Sequence, residues 1–281
     1  MLGIIGGTGL YQIDGLEVVK EHEIETPFGF PSAPPTQVKY KDSEIIFLPR
    51  HGKNHNFLPH EVNYRANIWA LKKLGVTQII SVSATGSLKE ELKPGDLCIP
   101  DQYFDHTRGK RDYSFFGNGI IAHISTAKPS CEVLSSDVLK AAKELGIDIH
   151  EGGAYACVEG PRLGTRAESS FLRNAGCSLV GMTNIPEAFL AREAQISYCT
   201  IAIVTDYDCW LDDPKQHVSV EMVFETYGKN IEKIKNLLKK IIENPLSQSP
   251  DYCRKSLSGT VMTPEDALNE KQKEILSCLK M

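Results

Sequence analysis

The 281-residue sequence predicts an α/β fold, a single domain with a mixed, mostly parallel central β-sheet flanked by helices. Two patterns carry that expectation. Short apolar, β-branched runs recur along the chain, and near-continuous apolar runs suit strands buried on both faces. Stretches with helical periodicity lie between them. No internal repeat and no interior linker divides the chain before residue 244.

In chain order, the strand candidates are residues 2–5, 44–48, 78–82, 178–180 and 197–204. The first helix candidate, 63–74, puts Ala66, Ile68, Trp69, Ala70, Leu71 and Leu74 on one broad stripe, with Gly75 placed to cap it. Segments 136–145 and 186–194 read the same way. Segment 221–243 is a long amphipathic helix. Its Val223, Ile231, Ile234, Leu237, Leu238 and Ile241 oppose Lys229, Lys233, Lys235, Lys239 and Lys240, and the basic face reads as solvated. A polar linker follows Asn244-Pro245, and a short helix at about 264–280 ends the chain. The expected layout is a domain over 1–244, with 245–281 as a linker and helix packed on that domain or on a neighbouring subunit.

Apolar residues at 41 % and charged residues at 24 % exclude the disordered class. Lys and Arg total 31 against 36 Asp and Glu, a net charge of −5, so no basic stripe is available for nucleic acid. The longest run without a charged residue, 113–127, is short for a membrane span and carries Asn118 and His123. The start, Met1-Leu2-Gly3-Ile4, lacks the basic region of a secretory signal. A soluble, cytoplasmic protein without a membrane or nucleic-acid partner is expected. None of the eight cysteines lies within four residues of another, so there is no CxxC pair. Cys98, Cys157, Cys177 and Cys199 sit in apolar stretches as reduced, small hydrophobes.

In an open α/β sheet, ligands bind beyond the carboxyl ends of the strands. Those ends are informative here. They read Gly6-Gly7-Thr8-Gly9, Pro49-Arg50-His51-Gly52, Ser83-Ala84-Thr85-Gly86-Ser87, Met182-Thr183 and Thr205-Asp206-Tyr207-Asp208. Four ends offer donors to an anion: the hydroxyls of Thr8, Ser83 and Thr183, the Arg50 fork, His51, and backbone N–H groups in small-residue turns. The fifth offers two carboxylates. An oxyanion and a group that needs carboxylates would meet at one sheet edge. A dinucleotide fingerprint is disfavoured, because the third small residue would fall at Gln12. A zinc site at His51, His55 and His60 is disfavoured by Gly52, Asn54 and Pro59, which oppose helix, so no metal is expected.

The motifs Gly3-Ile4-Ile5-Gly6-Gly7-Thr8-Gly9-Leu10, Pro49-Arg50-His51-Gly52, Val62-Asn63-Tyr64-Arg65-Ala66-Asn67, Ala84-Thr85-Gly86-Ser87-Leu88, Glu159-Gly160-Pro161-Arg162, Pro186-Glu187 and Thr205-Asp206-Tyr207-Asp208-Cys209-Trp210 occur in that order. With them the chain resembles the trimeric purine nucleoside phosphorylase family, in the branch that acts on 5′-methylthioadenosine. The resemblance spans roughly residues 3–240. It implies the nucleoside phosphorylase fold and phosphorolysis, in which phosphate attacks C1′ and the purine leaves. It implies that Thr8, Arg50, His51, Ser83, Ala84 and Thr183 hold phosphate, that Met182 lies under the ribose or base, and that Asp206 and Asp208 read the purine. It further implies no cofactor, with inorganic phosphate as co-substrate, and a homotrimer or a dimer of trimers.

These residue types suit that chemistry. Phosphate is the nucleophile, so the protein need only orient an anion beside a sugar that becomes oxocarbenium-like. The leaving purine needs a proton at N7. A buried carboxyl beside a second one stays protonated and can supply it, and Asp206 is the candidate. Asp208 could accept from the 6-amino group, which favours adenine over a 6-oxopurine. Which of the two faces N7 stays open. Val220 and Val223 match an apolar wall for a methylthio group, although residues 211–217 run one residue longer than in relatives, and His217 could instead approach a 5′-hydroxyl. Leu163-Gly164 stands where relatives carry Phe and Ser, which keeps a 6-oxopurine or methylthioinosine substrate as the alternative.

Overall fold

The computed structural model describes residues 1–7, 10, 13–213 and 217–281. Among the described residues, eleven strands form one mixed sheet. They are β1 (Leu2–Gly6), β2 (Glu17–Glu21), β3 (Thr36–Tyr40), β4 (Ser43–Pro49), β5 (Gln78–Ser87), β6 (Leu97–Ile99), β7 (Gln102–His106), β8 (Ile149–Glu151), β9 (Ala154–Val158), β10 (Cys177–Gly181) and β11 (Ser197–Asp206). The helices are α1 (Tyr64–Lys73), α2 (Glu132–Glu144), α3 (Arg166–Asn174), α4 (Asn184–Glu193), α5 (Val220–Glu243), α6 (Asp251–Arg254) and α7 (Glu270–Lys280). The strand order is β2-β3-β4-β1-β5-β10-β9-β7, and β11 branches off β5 to pair with β6, which pairs with β8.

Strands β4, β1, β5 and β11 run parallel, so their carboxyl ends share one edge of the sheet. Each of the five apolar runs lies inside one of the strands β1, β4, β5, β10 and β11, and β11 is buried along its whole length. The strands without an apolar run are short or edge elements. All five residues of β2 are exposed, which removes the alternation that would mark it.

Strand β5 is the hub. It pairs with β1 over Gln78–Ser81, with β11 along most of its length and with β10 at its end, where Gly86 faces Val180 and Asp206. A Cβ on Gly86 would lie 2.9 Å from Asp206 Oδ1 and 3.1 Å from Val180 Cγ1, so glycine permits this three-strand junction.

Helix α1 begins at Asn63, whose side chain accepts from the Ala66 N–H. Gly75 follows the helix with φ +81, a left-handed residue that ends it. Helix α3 is started by a capping box between Thr165 and Glu168. Helix α7 places Ile275, Leu276 and Leu279 in the same core as Trp69 and Leu71 of α1. Each such buried aliphatic side chain contributes about 1.5–3 kcal/mol. All eight cysteines are buried free thiols. Among the described residues no helix is long and apolar enough to cross a membrane.

Candidate active site

A cavity of about 900 Å³ opens at the shared carboxyl ends of the strands. Arg50, His51, Ser83, Ala84, Met182, Thr183, Asp206, Asp208, Val220 and Val223 all line it. Thr8 lies outside the described residues.

Arg50 is buried at one end. Its Nε donates to Glu187 Oε2 at 2.7 Å, and Nη2 donates to Glu187 Oε1 at 2.9 Å and to Ser81 Oγ at 2.6 Å. Nη1 donates to the Val82 carbonyl at 3.1 Å. Four of the five guanidinium N–H groups are therefore committed, and one Nη1 hydrogen is left for a ligand. The guanidinium fork is paired with Glu187. Burial opposes the charge on Arg50, but Glu187 outweighs burial and holds the pKa above its usual range.

Beside it, His51 Nδ1 hydrogen-bonds the Phe57 carbonyl at 2.9 Å. Burial, with the Arg50 charge adding to it, pushes the His51 pKa down to about 4. A neutral ring that contacts a carbonyl through Nδ1 carries its proton there, so Nε2 is an acceptor. Nε2 is thus placed to accept an O–H and not to donate to a bare oxygen. Ser83 Oγ and Thr183 Oγ1 lie 3.2 Å apart, and the buried Tyr155 hydroxyl stands 3.4 Å from Ser83 Oγ and from the Thr183 N–H. Only glycine at 181 leaves room for Tyr155, since a Cβ there would lie 2.0 Å from its hydroxyl.

Asp206 and Asp208 stand at the other end, 2 % and 6 % exposed. Thr205 Oγ1 lies 2.7 Å from Asp206 Oδ2, and the Asp208 N–H donates to Asp206 Oδ1 at 2.7 Å. Burial pushes the Asp206 pKa up to about 6; these two hydrogen bonds oppose the rise and the Asp208 charge adds to it. Burial also raises the Asp208 pKa, and the Glu168 charge adds a further push. Asp208 has φ +52, a left-handed conformation uncommon for a non-glycine residue, and it turns the side chain back into the cavity beside Gly164.

Between the two ends lies Met182, whose Sδ would be 2.5 Å from a Cβ on Gly160. Arg111 fixes both sides of that contact. It donates to the Met182 carbonyl at 2.7 Å, to the Glu159 carbonyl at 3.0 Å and to Glu159 Oε1 at 2.9 Å. Leu163 lines the cavity near Asp208, and Val220, Val223 and Phe224 form its apolar side. His217 turns to the Leu211 carbonyl at 2.9 Å and is not among the lining residues. Among the described residues, no group of three or more His, Cys, Asp or Glu is placed to hold a metal.

The residues that sequence reasoning missed are Glu187, Ser81, Tyr155 and Arg111. Glu187 follows a proline at the start of α4, and its motif was visible, but a buried acid on a helix reads like a surface one. Arg111 sits in an irregular stretch with no periodicity to mark it as buried.

Comparison with known proteins adds three findings. The family profile of the phosphorylase superfamily matches residues 1–243. The S-methyl-5′-thioadenosine phosphorylase of Geobacter sulfurreducens is 46 % identical over 99 % of this chain and 97 % of its own, and that of Nitrosopumilus maritimus is 48 % identical over 91 % and 96 %. A crystal structure of a methylthioadenosine phosphorylase from an antarctic soil metagenomic library superposes with TM-score 0.91 at 41 % identity, covering 99 % of this chain and 98 % of that one. The Schistosoma mansoni enzyme in complex with adenine gives TM-score 0.82 at 38 % identity, over 86 % and 90 %.

Proposed function

The chain belongs to the phosphorylase superfamily, and from that premise we propose that it cleaves 5′-methylthioadenosine with phosphate, yielding adenine and 5-methylthioribose 1-phosphate. It is a purine nucleoside phosphorylase, a pentosyltransferase. The observation that carries the reading is that one cavity brings together the Glu187-paired Arg50, the Ser83 and Thr183 hydroxyls and the buried Asp206 and Asp208 carboxyls.

Phosphate is held by the remaining Arg50 N–H, the hydroxyls of Ser83 and Thr183, the Ala84 backbone and Thr8, and it gives its own hydrogen to His51 Nε2. Held there, it is oriented toward C1′, and its negative charge stabilises the oxocarbenium-like sugar. Met182 lies beneath the sugar. Asp206 is the catalytic acid: as the C1′–N9 bond breaks, its electron pair enters the purine and Asp206 gives a proton to N7. Asp208 accepts from the 6-amino group. Val220 and Val223 receive the methylthio group. A 6-oxopurine is the second reading, kept by Leu163 on the cavity wall, which offers the base apolar contact without an aromatic face.

We further read residues 1–244 as the catalytic domain and 245–281 as its appendage, supported by the family match ending at 243. A trimer or a dimer of trimers is supported by exposed Leu58, Val220 and Phe224, which line the same cavity. A cytoplasmic location is supported by the eight free thiols. No cofactor enters the reading. The test is incubation with methylthioadenosine or inosine, with and without phosphate, and identification of base and sugar products. Adenine released only with phosphate is the expected result. No release overturns the reading, and phosphate-independent release makes the protein a hydrolase.

A further inference from the structure

One hydrogen and two acceptors meet at Thr205. Its Oγ1 lies 2.7 Å from Asp206 Oδ2 and 3.2 Å from the Thr85 carbonyl oxygen. Thr205 is 1 % exposed, so bulk water does not supply a third partner. A hydroxyl owns a single proton but can accept as well as donate. When that proton goes to Thr85, Oγ1 presents lone pairs to Oδ2, and the 2.7 Å contact is a hydrogen bond only if Asp206 carries a proton. When it goes to Oδ2, Asp206 can be a carboxylate. Oδ1 receives the Asp208 N–H at 2.7 Å in both arrangements.

We propose that the Thr205 hydroxyl is a two-position partner of the Asp206 carboxyl, accepting from it while it is protonated and donating to it once the proton has gone to the leaving base. The inference rests on the assignment of Asp206 as the acid in the reading above. Thr205 touches neither substrate in this scheme and is a positioning residue. At the start, Asp206 donates to Thr205, and Thr205 donates to Thr85. As the purine departs, the carboxyl O–H turns to N7 and transfers its proton. The Thr205 O–H rotates about its C–O bond and donates to Oδ2. The new carboxylate then has two donors, Thr205 O–H and Asp208 N–H. The proton that phosphate loses on forming the ester balances the one the base gains, and solvent returns it to Asp206.

The charged group acting on Asp206, among the described residues, is Asp208. Glu168 of α3 and His217 act on Asp208 in turn. Those groups stay in place when only Thr205 is changed. Losing its hydroxyl removes an acceptor from the neutral carboxyl and a donor from the carboxylate; the bond to the charged form is the stronger of the two, so the acid is left weaker.

The test compares Thr205→Val, which is near-isosteric and suits a strand, with Thr205→Ser, which keeps the hydroxyl. Two pH profiles are recorded: kcat for methylthioadenosine at saturating phosphate, and the affinity for adenine, which does not require turnover. In Thr205→Val the alkaline limb of both is expected about one pH unit higher than in wild type, the size of one lost hydrogen bond to a charged group. Thr205→Ser is expected to keep the wild-type limb. An unmoved or lowered limb in Thr205→Val overturns the proposal, as does an equal shift in both variants. Thr205→Ala serves by the same criterion if the valine variant does not fold. Wild-type adenine release with phosphate is a separate check on the functional reading, so failure of either is recognised independently.

Discussion

At one end of the cavity a guanidinium is buried against a carboxylate, Arg50 on Glu187 at 2.7 and 2.9 Å. At the other end two carboxyls, Asp206 and Asp208, are buried within one turn of each other, and neither forms a salt bridge among the described residues. The first end keeps its charge by pairing it. The second holds unpaired carboxyls whose proton affinity burial raises. A site that must bind an anion without trapping it suits a compensated cation. A site that must give up a proton suits a carboxyl whose pKa lies near the working pH. The difference is therefore chemical: one end is built for geometry and the other for titration.

Four expectations would break or sharpen that contrast. The largest concerns titration. Asp206→Asn is expected to lower kcat on methylthioadenosine by about 10²–10⁴-fold, the usual worth of a general acid. Wild-type kcat should fall as pH rises above about 6, where Asp206 loses its proton, and the variant's profile should be flat there. Near-wild-type turnover in the variant would make Asp206 a mere cap. The same group shapes stability. Its folded pKa lies above its ordinary value of 3.8, so the folded state binds the extra proton and stability falls as pH rises from about 4 to about 6. Melting curves across that window should show a shallower slope in the variant, the remainder coming from other buried acids such as Glu193, which burial pushes up to about 7.

Next comes pairing. Glu187→Gln leaves the Arg50 charge uncompensated in a buried position, and losing one partner of such a pair costs about 3–5 kcal/mol. A lower Tm and a KM for phosphate that rises more than the KM for nucleoside are expected. If both KM values move equally, the pair does not serve the anion end in particular. A smaller effect is expected of Asp208→Asn, which should shift kcat/KM from adenine toward 6-oxopurine nucleosides by about 10–100-fold, since a mismatched buried polar pair discriminates strongly. Unchanged preference would remove Asp208 from base reading.

The mildest test uses the two close-packed glycines. Gly86→Ala would push a methyl to 2.9 Å from Asp206 Oδ1, and Gly181→Ala would push one to 2.0 Å from the Tyr155 hydroxyl. Overpacking of this kind costs about 1–3 kcal/mol. Gly86→Ala should lower kcat with the phosphate KM unchanged, and Gly181→Ala should raise the phosphate KM. Identical phenotypes would mean that the two ends are mechanically one unit.

The five main strands were legible because each is a buried apolar run, and burial on both faces leaves no polar residues to confuse the pattern. The residues at their ends were legible for the same reason, since a strand that stops in glycine, serine or aspartate announces its end. Strand β2 was not legible, because an exposed edge strand carries no alternation. Helix α3 was not legible either, because Ala167, Phe171 and Leu172 are its apolar residues and of these only Leu172 is buried. The His51 ring was found, but its proton was not. That depended on the Phe57 carbonyl and the Arg50 charge, neither of which has a signature in residue type.

Residue order alone determined that donors and carboxylates stand at successive strand ends, because parallel strands in an α/β sheet deliver their carboxyl ends to one edge. Only the tertiary structure decided what each group does there. Glu187 lies 137 residues from Arg50, and Arg111 lies 71 residues from Met182. Whether a buried charge is paired or protonated depends on the atoms within a few ångströms of it, and long-range packing chooses those atoms.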